Sequence, residues 1–278
     1  MEKKHIIIDI EKCIGCFNCM LACRDEFVGN RWAPYSESMA KDAKWIDTRR
    51  YERGKAPYTE LTFVTQTCRH CAKAACEKAF PQAIDRREDG IVLLDMKAAK
   101  GNKALVDACP YGMITWNEEM ITAQKCTMCA HLLDDGWEVP RCVQACPLRA
   151  LSLVKCSDEE FAEMTENLKL KPLEEGENRP RVLYRNLYRL NSCFIKGAVV
   201  RTENNIVRAQ EGVEVKLFLN GELIDYTKTD FFGEFKFDRI PKNSGTFTVT
   251  AIKEGFSSVS KEVTVGEESQ FMGEFSLE

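Results

Sequence analysis

Cysteine is the residue type most able to do chemistry in this chain, and its spacing is regular. Twelve of the fourteen cysteines lie between positions 13 and 146, and the run at 13–23 reads C-x2-C-x2-C-x3-C. Runs of this form supply thiolates to [4Fe–4S] clusters in ferredoxins. Three such clusters need about twelve thiolates, one for each iron, so the count predicts three [4Fe–4S] clusters.

The spacing also predicts which cysteines share a cluster. In a ferredoxin run the fourth cysteine ligates the other cluster of a pair, because it starts a helix that leads away from the first cluster. We therefore predict that Cys23 and Cys146 are exchanged between the first and last groups. The predicted sets are cluster 1 (Cys13, Cys16, Cys19 and Cys146), cluster 2 (Cys126, Cys129, Cys142 and Cys23) and cluster 3 (Cys68, Cys71, Cys76 and Cys109).

Cluster 3 is predicted to be the survivor of a second pair. The ligand positions of its lost partner are found by counting back from Cys109 and forward from Cys76. The residues at those positions cannot bind iron, and they are Ala99, Asn102, Leu105 and Phe80. Because all four ligands are missing together, the pattern indicates a four-cluster ancestor that has lost one cluster.

Other cysteine chemistry fits less well. Structural zinc would suit the two C-x2-C pairs at 68–71 and 126–129 if they stood alone. It does not account for the run at 13–23 or for the two Cys-Pro pairs. A disulfide scaffold is disfavoured because such scaffolds are small and dense, whereas only Cys193 follows Cys156. We predict that these last two cysteines are free thiols.

A few polar side chains accompany the cysteines. His70 is expected to hydrogen-bond backbone or cluster sulfur rather than to ligate iron. Lys125 either tunes a cluster through its charge or is simply solvated, and the sequence leaves both open. His5 and His131 have no partners in the sequence that suggest acid–base work.

Composition narrows the possible partners and the location. The chain has 278 residues and a net charge of -4, so we expect no strongly basic surface that would bind nucleic acid. No run reaches the roughly 18 apolar residues that a membrane-spanning helix needs. The apolar run near the N-terminus is too short for a secretory signal. We therefore expect a cytoplasmic chain with no direct contact to nucleic acid or membrane.

The elements that position the cysteines predict two domains. Residues 1–190 are predicted to form an α+β ferredoxin-like domain with a trailing connector. In that connector, Ser157 and Glu160 have the spacing of a capping box that begins a helix. The basic and aromatic strip at 179–189 either docks a partner subunit or packs on its own chain. Residues 191–278 contain one cysteine and show β-strand alternation instead.

The second domain is predicted to be an all-β, antiparallel sandwich of about seven strands. Apolar residues alternate over 213–219, and Asn220-Gly221 then predicts a tight hairpin turn. The pattern over 195–265 resembles the transthyretin-like or carboxypeptidase-regulatory-like domain, which implies a structural or docking role. Four phenylalanines are expected in the core or at its rim: Phe231, Phe232, Phe235 and Phe237.

The cysteine-rich domain resembles a specific family. The segments at 13–19, 68–71, 89–92, 108–112, 124–129 and 140–147 resemble the electron-transfer subunits of molybdenum enzymes of the dimethyl sulfoxide reductase family. That resemblance implies a heterodimer with a large catalytic subunit that holds bis-molybdopterin guanine dinucleotide. It also implies that this chain relays electrons and has neither a catalytic residue nor a substrate site of its own.

The chain departs from the usual pattern of that family in two ways: the fourth cluster is missing, and a β-domain is appended. In both respects it resembles a branch of the family that acts on phenols. Segments 88–93, 124–135 and 231–238 carry this resemblance. It implies transfer of a hydroxyl group between phenols, a reaction with no net redox change. Resorcinol hydroxylases and catechol dehydroxylases have the same subunit plan, and clusters that only hold the fold together are a further alternative.

Overall fold

The computed structural model describes residues 2–278. The chain divides into two compact units. The first comprises the residues up to Arg50 together with Phe63–Leu187, and the second comprises Tyr51–Thr62 together with Tyr188–Glu278. The sequence did not predict that residues 51–62 belong with the β-domain.

The first unit is built from short helices and strands joined by the cysteine loops. Its helices are α1 (Asn18–Phe27), α2 (Ala75–Ala79), α3 (Met96–Ala99), α4 (Ala130–Asp134), α5 (Arg141–Gln144) and α6 (Asp158–Asn167). Its strands are β1 (Lys3–Asp9), β4 (Ile84–Arg86), β5 (Val92–Leu94), β6 (Ile114–Asn117), β7 (Thr122–Lys125), β8 (Leu151–Cys156) and β9 (Val182–Arg185). Strands β2 (Ile46–Lys55) and β3 (Tyr58–Thr67) pair with each other and contribute to both units. This mixture agrees with the predicted ferredoxin-like class.

Strand β1 is the centre of a three-stranded sheet, antiparallel to β8 and parallel to β9. Ile6, Ile7 and Ile8 are all buried, because packed residues cover both faces of the sheet. Strand β9 comes from the basic and aromatic strip, so this part of the strip packs on its own chain. The capping box is confirmed at the start of α6, where the Glu160 amide donates to Ser157 Oγ and the Ser157 amide donates to Glu160 Oε2.

The second unit holds one apolar core between two four-stranded sheets. After α7 (Tyr188–Asn191), its strands are β10 (Ser192–Glu203), β11 (Ile206–Ala209), β12 (Glu214–Leu219), β13 (Glu222–Lys228), β14 (Glu234–Pro241), β15 (Gly245–Ile252), β16 (Val259–Val265) and β17 (Gln270–Ser276). Strand β10 pairs with β11, β14 and β17 in one sheet, and the order β13-β12-β15-β16 forms the other. Val215, Leu217, Phe247 and Val249 face Ile195 and Phe237 across the core.

The predicted strands of this unit are confirmed, with two corrections. The β10–β17 pair is parallel, so the prediction of a purely antiparallel sandwich is wrong there. The reason is that the chain crosses from one sheet to the other between β16 and β17 and re-enters beside β10 in the same direction. Phe235 and Phe237 are core residues, whereas Phe231 and Phe232 lie in the preceding turn and are 73% and 70% exposed.

Residues 51–62 are held to the second unit by charge pairs around Arg53. Its guanidinium donates to both carboxylate oxygens of Asp238, at 2.8 and 2.9 Å, and to Glu60 at 2.7 Å. Only 10% of the Arg53 side chain is exposed. Removing one member of such a network leaves the opposite charges poorly solvated and unpaired.

We therefore expect Arg53→Met to lower the free energy of unfolding by about 2–4 kcal/mol. The matched control is Lys55→Met, since Lys55 pairs with Glu268 on the surface and its side chain is 73% exposed. That change is expected to cost less than about 1 kcal/mol. Urea unfolding of the full chain measures both, and equal losses in the two variants would contradict the role given to Arg53.

Candidate metal centres

The four cysteines predicted for cluster 3 surround one cavity. Cys68, Cys71, Cys76 and Cys109 all line a space of about 380 Å3, together with His70 and Lys125. The loop after β3 brings the first two thiols, α2 brings Cys76, and the segment after the 3-10 helix Lys103–Ala108 brings Cys109. The first and last cysteines of the set, Cys68 and Cys109, are 41 residues apart in the sequence and line the same cavity.

The predicted cluster 1 set surrounds a second cavity, of about 330 Å3. The cysteines that line it are Cys13, Cys16, Cys19 and Cys146. Two hydroxyl groups of the β2–β3 hairpin contact these thiols: Thr65 Oγ1 lies 3.8 Å from Cys13 Sγ, and Thr48 Oγ1 lies 3.9 Å from Cys19 Sγ. Cys23, the next cysteine along the chain, is not among the residues that line this cavity.

Electrostatic repulsion relates the thiols within each predicted set and also between sets, since after burial Cys68 raises the pKa of Cys126 and Cys19 that of Cys23. Burial raises the pKa of Cys71 to about 12, and the nearest thiols that raise it further are Cys68, Cys109 and Cys76. The pKa of Cys23 is raised well above its usual value, first by burial and then by repulsion from Cys126 and Cys129, which belong to its predicted set. The pKa of Cys142 is raised in the same way by burial and then by Cys129, Cys126 and Cys23.

These raised pKa values have a chemical consequence. Without metal the thiols stay protonated at neutral pH, since several thiolates at one buried place repel one another. Binding of positively charged iron compensates the burial and the repulsion, and it releases the protons. The donor set therefore fits a metal centre with several positive ions at each place.

Helix geometry explains why neighbouring cysteines go to different cavities. Cys19 and Cys23 lie one turn apart in α1, so about 6 Å of helix rise separates them. Cys142 lies in α5, which packs against α1, and Cys146 follows four residues later. Helix α1, with two thiols, and the segment of α5 and the residues after it, with two more, can each supply thiols to two places, which allows the exchange predicted from the sequence.

A glycine permits the close approach of the first cysteine loop to the β2–β3 hairpin. Gly15 has a φ of +68°, a conformation that side chains other than glycine rarely adopt. A Cβ at this position would lie 2.4 Å from the ring of Phe63 in β3. Any substitution here would push the loop away from the strand that supplies Thr65.

Three of the four positions predicted to have lost their ligands are occupied by apolar packing. Ala99 and Leu105 are 1% and 0% exposed and belong to one apolar cluster with Phe80. The same cluster includes Cys71 and Cys76, so side chains occupy space beside the cluster 3 cavity. Asn102 instead precedes the 3-10 helix that leads to Cys109.

The structure resolves the open question about Lys125. Its side chain is buried, and Nζ donates to the carbonyl groups of Val92 and Cys126. A solvated lysine is therefore wrong, because the residue is only 4% exposed. The prediction for His70 is confirmed for the backbone: its Nδ1 accepts a hydrogen bond from the Val92 amide at 3.1 Å.

The other two histidines do have partners, which the sequence did not reveal. His131 Nε2 lies 2.9 Å from Glu26 Oε1, and its ring stacks on Trp32. His5 stacks on Phe161, and burial, followed by the nearby Arg181 charge, lowers its pKa to about 4. Both are packed inside the first unit, where they stabilise the structure.

Two other kinds of feature are absent from the residues that the structure describes. No group of three or more His, Cys, Asp or Glu side chains within 2–278 is placed to hold a single metal ion. No helix in the same range is long and apolar enough to cross a bilayer.

Comparison with known proteins places this arrangement in a class. Residues 59–156 match the family model described as a 4Fe-4S dicluster domain. The iron-sulfur subunit of a putative dimethyl sulfoxide reductase from Halobacterium salinarum is 31% identical over 174 residues, 54% of this chain and 65% of that protein. One subunit of the tetrathionate reductase of Salmonella typhimurium is 35% identical over 144 residues, 51% of this chain and 53% of that protein. The cysteine-rich part of the chain is thus similar to 4Fe-4S domains and to subunits of these two reductases.

A further relative covers both units. The pyrogallol hydroxytransferase small subunit of Pelobacter acidigallici is 38% identical over 277 residues, which is 98% of each chain. This chain belongs to the family of that small subunit.

Proposed function

We propose that this chain holds three [4Fe–4S] clusters on twelve cysteines, in the sets given above, and relays electrons for a large catalytic subunit that contains molybdenum and bis-molybdopterin guanine dinucleotide. The observation that carries the proposal is the convergence of four thiols on one cavity for cluster 3 and again for cluster 1. Both sets were predicted from spacing alone. When bound, such clusters accept and release electrons at potentials that their surroundings set.

The chain's own groups would stabilise the bound clusters. The Met128 amide donates to Cys126 Sγ at 3.3 Å, and the Ala150 amide donates to Cys146 Sγ at 3.2 Å. Amide donors stabilise negative charge on ligand sulfur, which favours the thiolate and the reduced cluster. The mostly apolar walls of the cavities keep water away from the metal.

For the complete enzyme, the reaction proposed is hydroxyl transfer between phenols, which converts pyrogallol to phloroglucinol. Support comes from the similarity to the pyrogallol hydroxytransferase small subunit along both units. We further propose that the complex is a cytoplasmic heterodimer. In it, residues 1–190 carry the clusters and the transthyretin-like domain at 191–278 has a structural or docking role.

Metal analysis of the protein purified without oxygen tests the cluster content. About twelve irons and twelve sulfides per chain are expected, and co-purification with a molybdenum-containing subunit is expected as well. Zinc in place of iron, or fewer than about eight irons, would refute three clusters.

Phloroglucinol formed from pyrogallol without an external electron acceptor supports the transhydroxylase. Dependence on such an acceptor would instead indicate a hydroxylase or dehydroxylase, and clusters that are never reduced in turnover would indicate a structural role.

A further inference from the structure

Several buried polar atoms of the first unit have no hydrogen-bond partner among residues 2–278, and one of them, Nε2 of His70, belongs to a residue that lines the cluster 3 cavity. His70 is 1% exposed, and its Nε2 makes no hydrogen bond. The other ring nitrogen, Nδ1, accepts from the Val92 amide and so carries no proton. In the neutral ring the proton must then be on Nε2. A buried N–H group without an acceptor is costly, so an acceptor is expected at this place.

The backbone orients the His70 ring. His70 lies between two cysteines of the cluster 3 set and has a φ of +41°, an uncommon conformation for a residue other than glycine. The Val92 amide belongs to β5, so the strand holds the ring from one side. The polar residues that line the cavity with His70 are the four cysteines, Lys125, Arg69, Tyr111 and Asn178, and of these only the cysteines offer sulfur to a metal.

A buried positive charge also lies beside the cluster 3 cavity. Lys125 is buried beside this cavity and donates only to carbonyl groups, so no carboxylate neutralises it there. On the cluster 1 cavity the corresponding lysine is Lys12, which is exposed. Near the cluster 2 thiols the charges are mixed: besides burial, the Glu26 carboxylate raises the pKa of Cys23, whereas the Lys125 ammonium lowers that of Cys126. Reduction adds negative charge to a cluster, so a buried cation favours it and a nearby carboxylate opposes it.

We propose that His70 donates a hydrogen bond from Nε2–H to a sulfur of the cluster held at Cys68, Cys71, Cys76 and Cys109, and that this bond and the Lys125 ammonium raise the reduction potential of that cluster. In this proposal His70 is not a ligand; its hydrogen bond to sulfur stabilises the negative charge that reduction adds to the cluster. Each reduction adds one electron to the cluster, and both donors keep their protons. The proposal rests on the proposed function, because it requires a cluster at this place.

Two conservative substitutions separate the two nitrogens of the ring. His70→Asn places an amide near Nδ1, which can still satisfy the Val92 amide, but it has nothing at Nε2. Asparagine also tolerates a positive φ well. His70→Gln reaches the Nε2 position with an N–H donor. Each variant therefore keeps one side of the ring: asparagine keeps the acceptor for the Val92 amide, and glutamine keeps the donor that the proposal invokes.

The test is a dithionite titration followed by electron paramagnetic resonance on the full protein, with Cys109→Ala used to identify the cluster 3 signal. His70→Asn should lower the equilibrium constant for reduction of cluster 3 at least tenfold, about 59 mV for one electron. His70→Gln should retain most of the original value, and the other two signals should stay unchanged in both variants.

Lys125→Gln is a second, independent variant that keeps a donor but removes the charge, and Lys12→Gln is its exposed control. We expect Lys125→Gln to lower the cluster 3 potential and Lys12→Gln to leave it unchanged. An unchanged cluster 3 signal in His70→Asn, or in Lys125→Gln if the first variant does not fold, would overturn the proposal. Failure of the proposed function looks different: the unmodified protein would then lack iron or show no reducible cluster 3 signal.

Discussion

Replacing Cys109 with alanine is expected to remove one cluster of three, so that iron falls from about twelve toward about eight atoms per chain. Cys109 is the only thiol that its part of the chain contributes to the cluster 3 cavity. Without it one iron has no thiolate, and the remaining thiols of the cavity cannot take its place. Electron transfer through this cluster should be lost with it, and the activity of the complete enzyme should fall at least tenfold if the relay passes through cluster 3.

The matched control is Cys156→Ala. Cys156 lies at the end of β8, outside the residues that line the two cysteine cavities described above. We expect this variant to keep all of its iron and all three paramagnetic signals. A full set of clusters in Cys109→Ala, or loss of iron in Cys156→Ala, would show that the ligand assignment is wrong.

Paired substitutions are expected to reveal the exchange of Cys23 and Cys146. If Cys13 and Cys146 ligate the same cluster, replacing both with alanine removes no more than replacing either one. If Cys13 and Cys23 ligate different clusters, the double variant loses two clusters and about eight irons. Non-additive effects are expected of residues that act on one centre, and additive effects of residues on separate centres.

A sequential assignment makes the opposite prediction, which gives the experiment its value. If Cys13, Cys16, Cys19 and Cys23 formed one cluster, the Cys13 and Cys23 variant would lose one cluster and the Cys13 and Cys146 variant would lose two. Iron analysis together with counting of paramagnetic signals separates the two outcomes. The cavity that includes Cys146 but not Cys23 supports the exchange.

Much of the candidate site could be predicted because cysteine spacing is a local property. The cysteines in a run such as Cys13–Cys23 are only a few residues apart, so the covalent chain limits the distances between their thiols. Those limits can be read from the sequence. The same is true of the capping box at Ser157 and of the hairpin turn at Asn220, where both φ angles are positive as the turn type requires. The twelve candidate cysteines, the two kinds of domain and strands β12–β16 of the second unit were predicted from such signals.

Other features depended on contacts between distant residues and so could not be predicted. The pairing of His131 with Glu26 joins positions 105 residues apart, and the parallel strand β17 depends on how the chain crosses between two sheets. Residues 51–62 belong with the β-domain through Arg53, whose partner Asp238 is 185 residues away. Lys125 and His70 were visible in the sequence, but their environment was not.

The sequence by itself was therefore sufficient to predict twelve candidate ligands and their grouping, since thiol chemistry and short spacing carry that prediction. Only the tertiary structure decided what surrounds the ligands. Burial of Lys125 and the unpaired Nε2 of His70 arise from the packing of β5, β7 and the loop after β3 around one cavity. Cluster potentials depend on such buried charges and donors, whose strength grows as water is excluded, and that exclusion is a property of the folded chain.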